Sequence, residues 1–407
     1  MLNPKVFRSS KACSGKLAAA FLALLCLLGL LAVPAGAQPQ PVRVGLDAEF
    51  GLDNSTSAQA VELGMRTAIA EINRAGGVLK GRPIELVTKD HRSIPARGIR
   101  NIEEFARMPE LVAVFGGRFS PVVIEELPTL KATRTLFMAT WSSADAIIDN
   151  GMRPNYVYRL SLRDSLAMPK LLQTARKRGL PKVGLLLTNT SWGRSNLAAA
   201  EKFADSNKDI MIVQTAWYNW RDQTLVAKYN ALRSAGAQVI VLVANDDEAA
   251  VLVREVAALP KAERVPILSH WGVTGGEFVR QAGPALNQVD FSVIQTFSFF
   301  RADPTQLERF MRNLATVSKL RRIEDIQGPV GVAHAYDLMH ILAKAIDLAG
   351  STDRKAVRDA LERLRTHRGL VKTYAPPFTP TRHEALGARE LLIARYRADG
   401  VIVPTDD

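Results

Sequence analysis

Short apolar runs alternate along the chain with longer segments in which apolar residues recur every three or four positions. Val42-Arg43-Val44-Gly45-Leu46 alternates as a first strand. From Ser57 to Ala75, Val61, Leu63, Met65, Ala68, Ile69 and Ile72 fall on helical spacing, and Gly76-Gly77 stops the pattern. A strand at Ile84–Val87, a helix over 96–108 and a strand at Val112–Phe115 follow. Ser120-Pro121 predicts a helix to about Thr133, with Ser at the N-cap and Pro at the first helical position.

The alternation continues with strands at 136–138 and 156–158, a helix over 165–178, then strands at 182–187, 210–214, 239–243 and 265–268. Helices over 192–205, 223–235 and 247–258 separate the last four strands, and one more strand falls near 291–297. Long helices are predicted at 305–319, 330–349 and 353–365, with short strands in the tail 371–407. Continuous apolar strands between amphipathic helices mean parallel sheets covered on both faces. There are too many such units for one sheet of ordinary size. The expected fold class is therefore α/β, with two doubly wound parallel-sheet lobes.

The first 37 residues follow a different pattern. Lys5, Arg8, Lys11 and Lys16 precede an apolar run from Leu17 to Val33, and Ala35-Gly36-Ala37 supplies a small-residue site. This is the layout of a cleaved secretory signal peptide rather than a retained span. Its removal takes away both cysteines, Cys13 and Cys26, and lowers the formal charge from +13 to +9. The exported protein would have no thiol, no disulfide framework and no cysteine nucleophile. The remaining positive charge is scattered, apart from short clusters at Arg176–Arg178 and Lys319–Arg322. No basic stripe with interleaved aromatics is present, so a nucleic-acid partner is not expected.

Several pieces, taken in order, carry a family likeness. They are Gly64-Met65-Arg66, Ala70-Glu71-Ile72-Asn73-Arg74-Ala75-Gly76-Gly77-Val78, Gly81-Arg82-Pro83-Ile84-Glu85-Leu86-Val87 and Lys89-Asp90. Val114-Phe115-Gly116-Gly117 with Ser120, Tyr158-Arg159 with Asp164-Ser165, Ala335-Tyr336-Asp337 with Ala345-Ile346, and Val357-Arg358-Asp359-Ala360-Leu361 continue the series. Together they resemble the type I periplasmic solute-binding proteins, in the branch of the leucine/isoleucine/valine-binding protein.

The resemblance implies two lobes joined by three crossings, near 159–163, 294–300 and 371–380, which close on a ligand by hinge motion. One lobe would be 41–160 plus 298–370, and the other 161–297 plus 371–407. It further implies a periplasmic, non-enzymatic protein, expected as a monomer, that hands a small organic solute to the inner-membrane permease of an ABC importer. The solute would be amino-acid-like or an aromatic carboxylate. Neither cofactor nor metal is implied.

Ligands of doubly wound sheets sit at the carboxyl ends of strands, which singles out a set of loops. Arg118, Phe119 and Ser120 follow the strand at 112–115, where a helix N-terminus favours an anion. The resemblance places a ligand carboxylate at Ser120; read alone, Ser120 is an ordinary cap. Arg118 could clasp a carboxylate or lie at the rim. Trp141, Ser142 and Ser143 follow the next strand, and Trp141 departs from the family's small residue.

In the other lobe, Trp192 stands where many relatives carry Tyr. Asn245 and Asp246 follow the strand at 239–243, and Trp271 stands where amino-acid-binding relatives carry an acid for the ammonium. Trp141, Trp192 and Trp271 on cleft loops suit a flat or apolar ligand with one anionic end. Trp217 and Trp220 are given no role.

The chain lacks a G-x-S-x-G elbow, a Walker loop, an H-E-x-x-H pair and a G-x-G-x-x-G turn, and its six histidines are scattered. No catalytic constellation is expected. A sensor or accessory protein of the same fold, serving a receptor or dehydrogenase system, is the alternative reading.

Overall fold

The computed structural model describes residues 40–52 and 55–407, together with Met1 and Pro4. The signal-peptide reading of residues 1–37 falls outside the described residues apart from those two. Among the described residues, no helix is long and apolar enough to cross a membrane.

The first strand, β1 (Val42–Ala48), is buried along nearly its whole length, as a central parallel strand must be. It lies between β2 (Ile84–Asp90) and β3 (Leu111–Gly116). β4 (Leu136–Ala139) and β5 (Val157–Arg159) extend the sheet, in the order β2-β1-β3-β4-β5. Every pairing is parallel. The second sheet runs β14-β13-β10-β9-β8-β6-β7. Its parallel part comprises β6 (Lys182–Thr188), β7 (Met211–Tyr218), β8 (Val239–Val243), β9 (Ile267–Ser269) and β10 (Phe291–Gln295). The tail adds β13 (Leu392–Tyr396) and β14 (Ile402–Pro404) as antiparallel edge strands. A two-residue-wide hairpin, β11 (His367–Arg368) with β12 (Thr373–Tyr374), stands apart.

Helices α1 (Ser57–Arg74), α2 (Pro95–Ala106) and α3 (Ser120–Thr133) connect the strands of the first sheet. Helices α4 (Asp164–Lys177), α5 (Ser191–Ser206), α6 (Val226–Ser234), α7 (Asp246–Ala258) and the short α8 (Phe278–Ala282) belong with the second. The chain then returns. α9 (Pro304–Val317) and α10 (Pro329–Ala349) both pack on α1, and α11 (Arg354–Arg363) packs on α10.

Glycine makes the α1–α10 contact possible: a Cβ at Gly64 would collide with the backbone carbonyl of Val332. The apolar periodicity read from the sequence located these elements to within a few residues. β7 runs four residues beyond the predicted end of its strand, α6 starts three residues later than predicted, and α8 and the first hairpin strand, β11, match no predicted element, whereas β12, β13 and β14 fall in the tail where short strands are expected.

Arg159, at the end of β5, is fully buried and grips Glu384, with Nε 2.9 Å from Oε2 and Nη2 2.5 Å from Oε1. Its backbone N–H donates to His383 and its carbonyl accepts from Ala385. The end of β5 is thereby tied to the stretch 383–385. A buried, bidentate ion pair is a strong local tie because separating it strands a charge.

Candidate functional site

The loops that leave the carboxyl ends of β3, β4, β6, β7, β8 and β9 converge between the two sheets. They enclose a cavity of about 280 Å³ lined by Arg118, Phe119, Ser120, Pro121, Trp141 and Ser143 on one side. Trp192, Trp220, Asn245, Trp271 and Gly272 line the other. A water-sized sphere can be centred in only about 10 Å³ of it, room for about one water. As it stands the cavity is too small for an organic solute.

Each ring has a structural reason for its place. Trp141 is 1% exposed and lies against Gly331 in the first turn of α10, where any Cβ would collide with the indole. Across the cavity its ring stands 5.9 Å from that of Trp271. Trp192 sits in the first turn of α5, which Thr190 caps by accepting from the Gly193 N–H. Its indole N–H donates to Asp164 at 3.3 Å, and its ring meets His270 edge-on at 5.0 Å. Phe119 stacks edge-on with Trp220 at 5.5 Å and carries the Arg118 guanidinium over its face at 4.8 Å.

The polar groups divide into those already engaged and those still open. Arg118 crosses the cleft to Asp246, with Nη1 2.8 Å from Oδ1, and donates to the Gly272 carbonyl at 3.2 Å. Burial pushes the Asp246 carboxyl up, with Arg118 pulling the other way. Glu49, fully buried, lies 3.9 Å from Arg118 and 3.7 Å from His91 and accepts from Ser57. A second cross-cleft tie is made of backbone: Thr56 N–H donates to Gly275 O at 2.9 Å. The indole N–H groups of Trp141 and Trp220, and Arg118 Nε, have no hydrogen-bond partner although buried.

Ser120 does not cap its own helix, contrary to the sequence reading. Phe119 is the N-cap residue, and the Ser120 hydroxyl oxygen instead accepts from the N–H groups of Ser143 at 3.1 Å and Ala144 at 3.2 Å. With both lone pairs occupied, its hydrogen can only be donated. In the first turn of α3, Pro121 has no N–H, and the N–H groups of Val122 and Val123 both donate to the Phe119 carbonyl, at 3.0 and 3.3 Å.

Eight of the residues expected at the site therefore line one cavity: Arg118, Phe119, Ser120, Trp141, Ser143, Trp192, Asn245 and Trp271. Ser142 and Asp246 do not. Ser142 is fully buried behind the wall, with its carbonyl turned to Arg159, and Asp246 is taken up by Arg118 and by the Glu277 N–H. Trp220, given no role from sequence, is part of the wall. It follows the end of β7 as the other rings follow their strands, but the strand had been ended too early for this to be seen. Trp217 packs near Gly193 instead.

His334 adjoins the site. Its Nδ1 is 3.0 Å from Thr140 O and its Nε2 2.9 Å from Thr296 Oγ1, while its ring lies 5.7 Å from Trp271. Burial pushes its imidazole down to about 4, against the pull of the Thr140 carbonyl. Among the described residues, no group of three or more His, Cys, Asp or Glu side chains could hold a metal ion.

The family model described as periplasmic binding protein matches residues 41–400. No curated protein matches the chain. Among solved structures, a periplasmic binding protein type 1 from Bordetella pertussis Tohama I is similar, with TM-score 0.80 and 21% identity over 90% of this chain and 100% of that one. A solute-binding protein of an ABC transporter from R. palustris, in complex with 4-hydroxybenzoate, has TM-score 0.77 and 15% identity over 90% and 96%. The branched-chain amino acid transporter substrate-binding protein LivJ from Streptococcus pneumoniae, in complex with isoleucine, has TM-score 0.75 and 19% identity over 90% and 100%. At these identities the likeness is one of fold. The family match, by contrast, runs through both sheets from the first strand almost to the last, and on that ground the chain belongs to the periplasmic binding protein family, with the type I arrangement of two parallel-sheet lobes.

Proposed function

We propose that the protein is the solute-binding component of an ABC importer and that its cleft takes an aromatic or apolar monocarboxylate. In this reading residues 1–37 direct export to the periplasm, and the lobes are 41–160 plus 298–370 and 161–297 plus 371–407. Closure over the solute presents the pair to the permease. The observation that carries the ligand class is the balance of groups around the cavity. Its lining holds no Asp or Glu; Arg118 is engaged by Asp246 and the Gly272 carbonyl, and the donors left without a partner are Arg118 Nε and the indole N–H groups of Trp141 and Trp220, with the Ser120 hydroxyl beside them. Donors without facing acids suit a carboxylate. An α-ammonium would find no carboxylate there, because Asp246 is already engaged by Arg118. Four indoles and Phe119 supply a ring-shaped apolar environment. The R. palustris structure with 4-hydroxybenzoate and the S. pneumoniae structure with isoleucine mark the two sides of this choice.

A thermal-shift comparison of benzoate, 4-hydroxybenzoate and isoleucine tests it. A bound solute at about 100 times its Kd adds about 2.7 kcal/mol of stability, a rise of several degrees in Tm. The aromatic acids are expected to produce that rise and isoleucine none. Stabilisation by isoleucine alone would return the site to the amino-acid class.

A further inference from the structure

A second cavity lies apart from the cleft. The stretch Phe291-Ser292-Val293-Ile294-Gln295-Thr296-Phe297-Ser298-Phe299 makes β10 and then leaves the second sheet toward α9. Where it leaves, β13 pairs antiparallel with β10, bringing Leu392 opposite Gln295, and β14 follows. The segment 323–328, which leads into α10, faces this sheet edge from the first lobe. Between them lies a cavity in which water-sized spheres can be centred over about 370 Å³, against about 10 Å³ in the cleft, within the range of small-molecule pockets. The two cavities share no lining residue.

Part of its wall is apolar, made of Phe278, Phe297, Phe299, Ile326, Val401 and Ile402, and the rest is polar. Two residues of the lining each carry a buried polar atom without a partner. Gln295, 1% exposed, donates its Nε2 to the Ile294 carbonyl at 2.7 Å and leaves Oε1 unbonded, and the Tyr396 hydroxyl is likewise unbonded. A buried acceptor left unpaired costs free energy that a ligand donor recovers. Charge narrows the ligand further. Of the acids in the lining, Glu277 pairs with Arg280, Glu324 with Arg322 and Asp399 with Arg397, while Asp325 has no ion pair among the described residues. The surroundings therefore accept a neutral or singly positive molecule and disfavour an anion.

We propose that this cavity is a second small-molecule site, for an apolar ring-bearing amine or amide whose N–H groups donate to Gln295 Oε1. Because Thr56, 298–300 and 323–329 come from one lobe and the rest from the other, an occupant touches both and bears on the clamp as well as on the pocket.

Tryptamine serves as the probe, in calorimetric titration and in a crystal grown with it. It is expected to bind wild-type protein, to lose about tenfold in affinity in Gln295→Leu, and to bind no longer to Val401→Trp, which fills the pocket from its partly exposed wall. The crystal is expected to show it among Phe297, Ile326 and Val401. Melting curves establish that both variants are folded, and Val401→Trp, at the less buried position, keeps the test decisive if Gln295→Leu is not. No binding to wild-type protein, unchanged binding to a folded Val401→Trp variant, or density for tryptamine among the cleft indoles instead would each overturn the proposal.

Discussion

Ser120 shows how much a single side chain can be committed by its neighbours. Two backbone N–H groups occupy its oxygen and leave only the hydrogen to face the cavity. If that hydrogen meets a ligand carboxylate, Ser120→Ala removes a charge-assisted bond of about 1.5–3 kcal/mol, one to two decades in Kd. Titration of the aromatic acid found above into this variant measures it, and an unchanged Kd would take Ser120 out of the contact. His334 makes a second prediction at this scale. Its folded pKa, about 4, lies below the ordinary value of 6.5, so the folded state sheds a proton that the unfolded state keeps. Its contribution to stability is thus present above pH 6.5 and is lost as pH falls through about 4. Against His334→Gln, the wild-type protein should show an extra loss of stability across that window in urea titrations; parallel curves for the two would rule this out.

At the scale of elements, helices and strands were legible because each buries a continuous apolar face with its own period. Gly64 carries information of another kind. It lies on the face of α1 that meets α10, and the two backbones approach so closely there that a methyl group would strike Val332 O. Gly64→Ala should lower stability by about 1–3 kcal/mol, read as a lower Tm, although alanine is the better helix former. A variant that melts at or above the wild-type temperature would mean the helices can slide apart without loss. The first strand of the 367–374 hairpin, β11, was invisible in the sequence because the hairpin's organiser is remote. Asp337, buried in α10, accepts from the N–H groups of Leu370 at 2.6 Å and Val371 at 2.9 Å and from the Tyr374 hydroxyl at 2.8 Å. Burial pushes this carboxyl up to about 6, with those donors opposing.

For the whole molecule, the central fact is a closed cleft held by its own residues. Arg118 and Asp246, both nearly fully buried, bridge the lobes, joined by the backbone bond from Thr56 to Gly275. A buried charge that loses its partner is costly, and water restores it only if the jaws open. Asp246→Asn should therefore shift ligand-free protein toward an open form, seen as a larger radius of gyration in small-angle scattering, which a cleft ligand reverses. Identical scattering from the two proteins would mean that other contacts hold the jaws. The same pair explains why Asp246 looked like a ligand group from sequence: a carboxylate at a strand end is in the right place, and only its partner across the cleft shows that it is occupied.

Local periodicity, turn residues and the order of motifs determined the two-lobed α/β architecture and the strand-end loops where a solute belongs, because these depend on neighbours in the chain. Which rings meet, which donors stay open, the role of Trp220, the engagement of Asp246 and the cavity beside β10 were decided by the tertiary structure. Each depends on residues far apart in sequence, brought together where the lobes close, and no periodicity along a chain encodes a distance between two lobes.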